Sequence, residues 1–182
     1  MNEPESPHPQ DCSCGVCGET IAGPLRDFAH RWPDRVFALP SAERASRTWC
    51  WPDDNPDFVA LDGASFFVRG LLPVPLEEND EFRYGVWLEV SQEDFERILQ
   101  AWNDEEAYAN LRFQATLANA VAPWGDQTLG TTVEVSTRDA GTRPWVSGAA
   151  EPWLATLLQS GWDRATYEQV ARSLAATQAA KL

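Results

Sequence analysis

Residues 81–90, EFRYGVWLEV, carry the clearest pattern in the chain, because apolar and polar side chains alternate along them. This period of two is typical of a half-buried β-strand. The apolar face holds Phe82, Tyr84, Val86, Leu88 and Val90, and the opposite face holds Glu81, Arg83, Trp87 and Glu89. In residues 92–102 the period becomes helical, with one stripe of Phe95, Ile98, Leu99 and Trp102. The sequence therefore predicts a strand followed by a helix that Ser91 caps.

The residues before this pair predict short elements around one hairpin. Residues 57–61 and 65–69 are predicted as strands joined by a turn at Asp62-Gly63. Residues 25–32 have apolar side chains at helical spacing and predict a short helix that ends at Pro33, and residues 41–48 predict another, with Ser41 as N-cap. Residues 49–56 are predicted as a turn. Residues 71–81 contain two prolines and are predicted as an extended edge or connection.

The C-terminal half combines further strands with two helices. Residues 111–120 are ambiguous between strand and helix and favour a strand, and residues 127–136 predict another, with residues 143–146 beside it. Residues 123–126 predict a turn, and residues 151–159 and 163–181 predict helices, the second capped by Asp163. These elements indicate an α+β fold, with a mostly antiparallel sheet and helices packed on one face.

The length of 182 residues fits a single domain. We expect a disordered lead over residues 1–11 and one α+β domain over residues 12–182. This domain would include an N-terminal cysteine knuckle at residues 12–20 and a C-terminal helical tail at residues 151–181.

The charge balance restricts the partners. Lys and Arg number 14 against 28 Asp and Glu, a net charge of −14. This excludes a uniformly basic nucleic-acid footprint, disfavours an anionic membrane surface, and points to a basic protein partner. The N-terminus has no signal-peptide pattern and no stretch is apolar enough to span a bilayer, so we expect a cytoplasmic protein with reduced cysteines.

Four cysteines could hold a metal. Cys12, Cys14 and Cys17 lie close together in a glycine-containing knuckle, and Cys50 follows after a long gap. Four thiolates would close one structural zinc site, with His8 or water as the fourth ligand if Cys12 is out of reach. Alternatively, Cys50 is an ordinary buried thiol and the knuckle binds nothing.

Catalytic motifs are scarce. His8 and His30 are the only histidines. A histidine placed like His30 more often has a structural role than a catalytic one, so histidine-based catalysis is disfavoured. An enzyme acting on a small anionic substrate would have to use carboxylates, arginine and tyrosine, and the candidates are Arg69, Glu77, Arg83 and Tyr84. Of the nine tryptophans, Trp49, Trp51 and Trp124 lie in turn-rich sequence, where they would either bind a partner or pack under loops.

Residues 66–98 resemble the bacterial domain-of-unknown-function family 2199. The matching blocks are Cys14 to Gly18, Phe66 to Pro75 and Tyr84 to Ser91, and weaker similarity extends to about Gly161. The family pattern has a histidine at Ile21, a cysteine at Val59 and a histidine at Glu151, so a metal site that used those positions is lost here. The resemblance implies no activity, because the family is uncharacterised.

Two functions remain after these exclusions. The leading one is a non-enzymatic, acidic, cytoplasmic domain that binds a basic protein, as an immunity protein would. The alternative is the enzyme described above.

Overall fold

The computed structural model describes residues 12–13, 20–21, 25–77, 80–140 and 142–179. Within them lie ten strands and six α-helices. The strands are β1 Cys12–Ser13, β2 Thr20–Ile21, β3 Asp27–Ala29, β4 Thr48–Trp51, β5 Phe58–Leu61, β6 Ser65–Pro75, β7 Glu81–Val90, β8 Arg112–Leu117, β9 Thr132–Ser136 and β10 Trp145–Ala149. The helices are α1 Asp34–Phe37, α2 Ser41–Arg47, α3 Gln92–Ala101, α4 Glu105–Ala109, α5 Pro152–Ser160 and α6 Arg164–Ala179. The predicted lead over residues 1–11 and most of the predicted knuckle lie outside the described residues.

The long hairpin of β6 and β7 is the centre of the fold. The two strands pair antiparallel from Phe66 opposite Val90 to Pro75 opposite Glu81. The alternation predicted for β7 is confirmed, because its five apolar-face residues are all buried in one core cluster. Trp87 on the opposite face is also fully buried, in a second cluster with Phe67 and Val36.

The sheet closes into a barrel-like ring. Antiparallel pairing continues from β7 through β8 and β9 to β10, and β10 returns to β6 through a parallel pairing of Trp145 with Leu71. Strands β5 and β4 extend the sheet from β6, and β3 adds to β7 in parallel. The predicted α+β class and the mostly antiparallel pairing are confirmed. Long strands twist strongly, so β6 and β7 can take different neighbours at their two ends.

The prediction that all helices pack on one face of the sheet is wrong, because helices cover both faces. Helices α3, α5 and α6 contribute to the larger cluster through residues such as Phe95, Leu154 and Val170. Helix α1 covers the opposite face of the hairpin, where Val36 packs with Phe67 and Trp87. Helix α1 is needed on this second face because the large apolar side chain of Trp87 points there from β7 and must be covered.

Three local predictions are wrong in part. The predicted helix at residues 25–32 is instead strand β3, in which Ala29 approaches β7 at Gly85, where an added Cβ would lie 2.9 Å from that of Ala29. Trp49 to Trp51 form strand β4 rather than a turn. The strand predicted over residues 127–136 is shorter than expected, because only β9, Thr132–Ser136, is a strand. A short 3-10 helix, Asp126–Thr128, overlaps its predicted start.

The prolines of β6 do not interrupt its pairing with β7. The amides of Arg69 and Leu71 point away from β7, toward the carbonyl oxygens of Asp57 and Pro144. Pro73 and Pro75 lie two and four residues after Leu71, so their missing N–H groups also belong on that side. The predicted edge segment is therefore part of a fully paired strand.

Helix ends agree with the sequence in most cases. The hydroxyl of Ser91 accepts a hydrogen bond from the amide of Asp94 at 3.1 Å, and the carboxylate of Asp163 accepts one from Thr166 at 2.8 Å. Helix α2 differs, because Pro40 occupies the N-cap position and Ser41 is its first residue. Among the described residues, no helix combines the length and apolarity needed to cross a bilayer.

Candidate functional site

The structure describes only part of the predicted zinc site. Cys14 and Cys17 lie outside the described residues, and Cys12 is placed as the first residue of β1. Cys50 is half-buried in β4, where its thiol donates to the hydroxyl of Thr48 at 3.7 Å. Burial raises the pKa of this thiol. Within the described residues no group of three or more His, Cys, Asp or Glu side chains could hold a metal ion, so the zinc site stays a prediction.

The four residues of the enzyme hypothesis lie in different surroundings. Tyr84 points into the core, donates to the carbonyl oxygen of Ala122 at 2.6 Å, and has a pKa raised by burial. Arg69 and Arg83 share the opposite face of the hairpin, but four ladder steps separate them, about 13 Å at the usual rise per residue. Glu77 is exposed beyond the end of β6. The hairpin therefore does not bring these side chains into one site.

Arg69 is a buried arginine held by neutral groups. It is 6% exposed, its guanidinium donates to Asn55 Oδ1 at 2.8 Å and to the carbonyl oxygen of Arg31 at 3.3 Å, and it lies 5.1 Å from the centre of the Trp87 ring. Burial lowers its pKa to about 10, and Arg143 acts in the same direction. These contacts tie the segment before α1 and the loop after β4 to the hairpin. The anion clamp that the sequence suggested at Arg69 stays a prediction.

The backbone of His30 has a structural role. Its carbonyl oxygen accepts a hydrogen bond from the indole N–H of Trp87 at 3.2 Å, and its half-buried ring packs edge-on against Phe28. The hydrogen bond to Trp87 therefore holds the segment around His30 against the second core cluster.

Helices α3 and α4 form the acidic surface, defined here as Gln92–Ala101 and Glu105–Ala109 with the joint between them. Six acidic residues against the single Arg97 leave a net charge of −5 on residues 92–109, and Arg97 itself pairs with Asp94 at 2.5 Å. The exposed carboxylates are those of Glu93, Glu96, Asp104, Glu105 and Glu106, and none of them forms an ion pair with a described residue.

Trp49 borders the acidic surface. It is 48% exposed, and its ring packs edge-on against Phe95 of α3 with 6.1 Å between ring centres. Trp51 and Trp124 are half-buried, the first against Trp102 and the second stacked on Trp162. Of the three tryptophans singled out from the sequence, Trp49 is the exposed one.

A groove with a volume of about 530 Å³ is lined by Trp49 and lies between α2 and β4. One face of α2 lines it through Ser41, Arg44 and Ala45. The edge of β4 lines it through Thr48, Trp49 and Cys50, and Arg31, Trp32 and Asp53 complete the wall. Helix α2 buries no residue, so its groove-facing side is exposed.

Sequence reasoning missed this groove for a physical reason. Its walls come from three segments that have no common motif, and the strand β4 in one of these walls was predicted as a turn. The four arginines and two tryptophans within residues 31–49 are the one signal that the sequence offers.

A comparison with protein families matches residues 13–152 to the family described as "Uncharacterized protein conserved in bacteria (DUF2199)". No curated protein and no solved structure gives a significant match. The resemblance inferred from the sequence blocks is confirmed.

Proposed function

The chain belongs to the uncharacterised bacterial family DUF2199, and we propose that it is a non-enzymatic binding module for a basic protein partner. The proposed contact surface consists of the acidic surface on α3 and α4 together with the exposed ring of Trp49. A cytoplasmic location and an immunity-type role, in which an acidic protein covers a basic partner, are part of the same proposal.

The observation that carries the proposal is the exposed ring of Trp49, which packs against a helix whose glutamates form no ion pair with any described residue. Protein interfaces are enriched in tryptophan at their centres, surrounded by polar rims. Trp49, with about half of its surface exposed, supplies such a centre. Glu93 and Glu96 lie on the helix that it packs against, and Glu105 and Glu106 follow on α4.

Electrostatics supports a cationic partner over a neutral one. Carboxylates without ion pairs repel one another within the acidic surface, and a partner rich in lysine or arginine would relieve this repulsion. Complementary charges raise association rates and fix orientation more than they raise affinity. The Debye length falls from about 30 Å at 0.01 M salt to about 10 Å at 0.1 M, so the association should weaken as salt rises.

Capture of the partner from the bacterium that encodes the chain tests the proposal. The full chain serves as bait at low and at moderate salt, and captured proteins are identified by mass spectrometry. We expect a basic protein that is retained at low salt and reduced at moderate salt. Recovery of no protein at either salt would contradict the proposal.

Charge-reversal variants assign the contact to the acidic surface. Glu105→Lys with Glu106→Lys should weaken binding of the captured partner at least about tenfold, because each change places like charges opposite each other. The matched control is Asp139→Lys with Glu151→Lys. Both of these carboxylates are exposed, and Glu151, like the two glutamates, lies at the start of a helix. Equal losses in the two double variants would refute the assignment.

A further inference from the structure

The groove between α2 and β4 has the dimensions of a small-molecule site. Its volume of about 530 Å³ lies within the roughly 300–1,000 Å³ of typical ligand pockets. Thr48, Trp49 and Cys50 are consecutive, and because strand side chains alternate between faces, their shared wall is the edge of the strand. Within the described residues β4 pairs with β5 alone, so this edge is open.

Two opposite charges line the groove without partners. Arg31 and Asp53 are both exposed, and the structure shows no ion pair or hydrogen bond from either side chain to a described residue. Arg44 differs, because its guanidinium donates to the carbonyl oxygens of Val36, Phe37 and Leu39 at 2.9–3.1 Å. The groove therefore presents one available guanidinium and one available carboxylate.

Two aromatic side chains line the same groove. Trp49 is 48% exposed, and Trp32 is half-buried against the second core cluster. Indole walls favour a ligand with an apolar or aromatic body, which would gain contact area there.

The net charge of −14 distinguishes between ligand charges. The field of the whole chain repels a small anion and Arg31 and Arg44 repel a small cation, so each of these ligands meets one attractive and one repulsive contribution. A zwitterion has no net charge and can pair with both free groups.

We propose that this groove binds a small zwitterion with an apolar body, the chemistry of a free amino acid with a large side chain. Its carboxylate pairs with Arg31, its ammonium group pairs with Asp53, and its body lies against Trp32 and Trp49. The proposed protein partner would also contact the ring of Trp49, but binding of the zwitterion does not require that partner, so the test uses the free chain.

Three probes with the same ring test the proposal by calorimetric titration of the full chain. Phenylalanine carries both charges, 3-phenylpropionate lacks only the ammonium group, and phenethylamine lacks only the carboxylate. We expect saturable binding of phenylalanine, and binding of the other two to be at least about tenfold weaker, since each loses one ion pair. No saturation by any probe in the millimolar range, or equal affinity for all three, would overturn the proposal.

Substitutions assign each charge to its partner. Arg31→Gln should make phenylalanine bind no better than phenethylamine, and Asp53→Asn should make it bind no better than 3-phenylpropionate. Because both side chains are exposed and form no hydrogen bond or ion pair with a described residue, these variants should keep the melting temperature of the parent chain. Arg172→Gln and Asp54→Asn, which change exposed residues outside the groove, are the controls and should leave the three affinities unchanged. Unchanged phenylalanine binding in Arg31→Gln or Asp53→Asn would refute the assignment.

Discussion

Gly161 is the position where one added methyl group should cost the fold most. It ends α5 with φ 65° and ψ −153°, a region that residues other than glycine rarely adopt. A Cβ built there would lie 1.9 Å from the carbonyl oxygen of Pro75, which belongs to the backbone of β6 and cannot rotate away. The next residue, Trp162, donates its amide to that same oxygen at 2.9 Å and is 7% exposed in the main core.

The loss of stability in Gly161→Ala can be worked out by comparison with a matched glycine. Gly125 has nearly the same backbone angles, φ 59° and ψ −135°, but nothing lies within 4 Å of an added Cβ. Gly125→Ala should therefore cost only the backbone strain, about 1–3 kcal/mol. Gly161→Ala adds the lost hydrogen bond, about 1 kcal/mol, and a displacement of Trp162 from the core, so its cost should exceed that of Gly125→Ala by at least about 2 kcal/mol.

Urea unfolding of the two variants and the parent chain measures this difference. At roughly 2–4 °C per kcal/mol for a chain of this size, the melting temperatures of the two variants should also differ by at least about 4 °C. Free energies of unfolding that agree within about 0.5 kcal/mol would refute the contact between Gly161 and Pro75 as the reason for the glycine.

Three further predictions follow from the described contacts. Asn119→Ala should lower the free energy of unfolding, measured in urea, by about 3 kcal/mol. The reason is that Asn119 is fully buried, accepts a hydrogen bond from the amide of Trp87 at 2.7 Å and donates one to Asp34 at 2.8 Å. A loss below about 1 kcal/mol would contradict the importance of these hydrogen bonds. Hydrogen bonds from Thr166 hold the pKa of Asp163 below its usual range, so the charged cap stabilises the fold above the usual Asp pKa and this contribution is lost as the pH falls through the lowered value. Asp163→Asn should therefore melt below the parent at neutral pH and approach it in acid, and a difference that does not change with pH would contradict the cause. If Cys12, Cys14, Cys17 and Cys50 bind zinc, elemental analysis should give about one zinc per chain and Cys50→Ser should lower that ratio; well under one zinc per chain in the parent would end the hypothesis.

Local patterns predicted the elements whose causes are local. Strand β7 and helix α3 follow from two hydrophobic periods in adjacent residues, and Ser91 and Asp163 follow from capping chemistry. The acidic surface could also be predicted in part, because its carboxylates lie close together in the sequence from Glu93 to Glu106.

Contacts between distant residues account for what the sequence did not show. Phe28 and Ala29 belong to a strand because they meet Tyr84 and Gly85, although their own spacing is helical. The ring closes at a single pairing of Trp145 with Leu71, which has no local signal. Arg69 was singled out from the sequence, but its neutral partners come from the segment before α1 and from Asn55, so these contacts could not be predicted from β6 alone.

Hydrogen–deuterium exchange with the captured partner tests the proposed function most directly, because it locates the contact on the chain. The account predicts slower exchange of the amides in α3, α4 and β4 when the partner is bound, with α5 and α6 unchanged. The same experiment with the Glu105→Lys and Glu106→Lys variant should show no protection at equal concentrations. Protection confined to α5 and α6, with α3 and α4 unchanged, would contradict the claim that the acidic surface and Trp49 bind the partner.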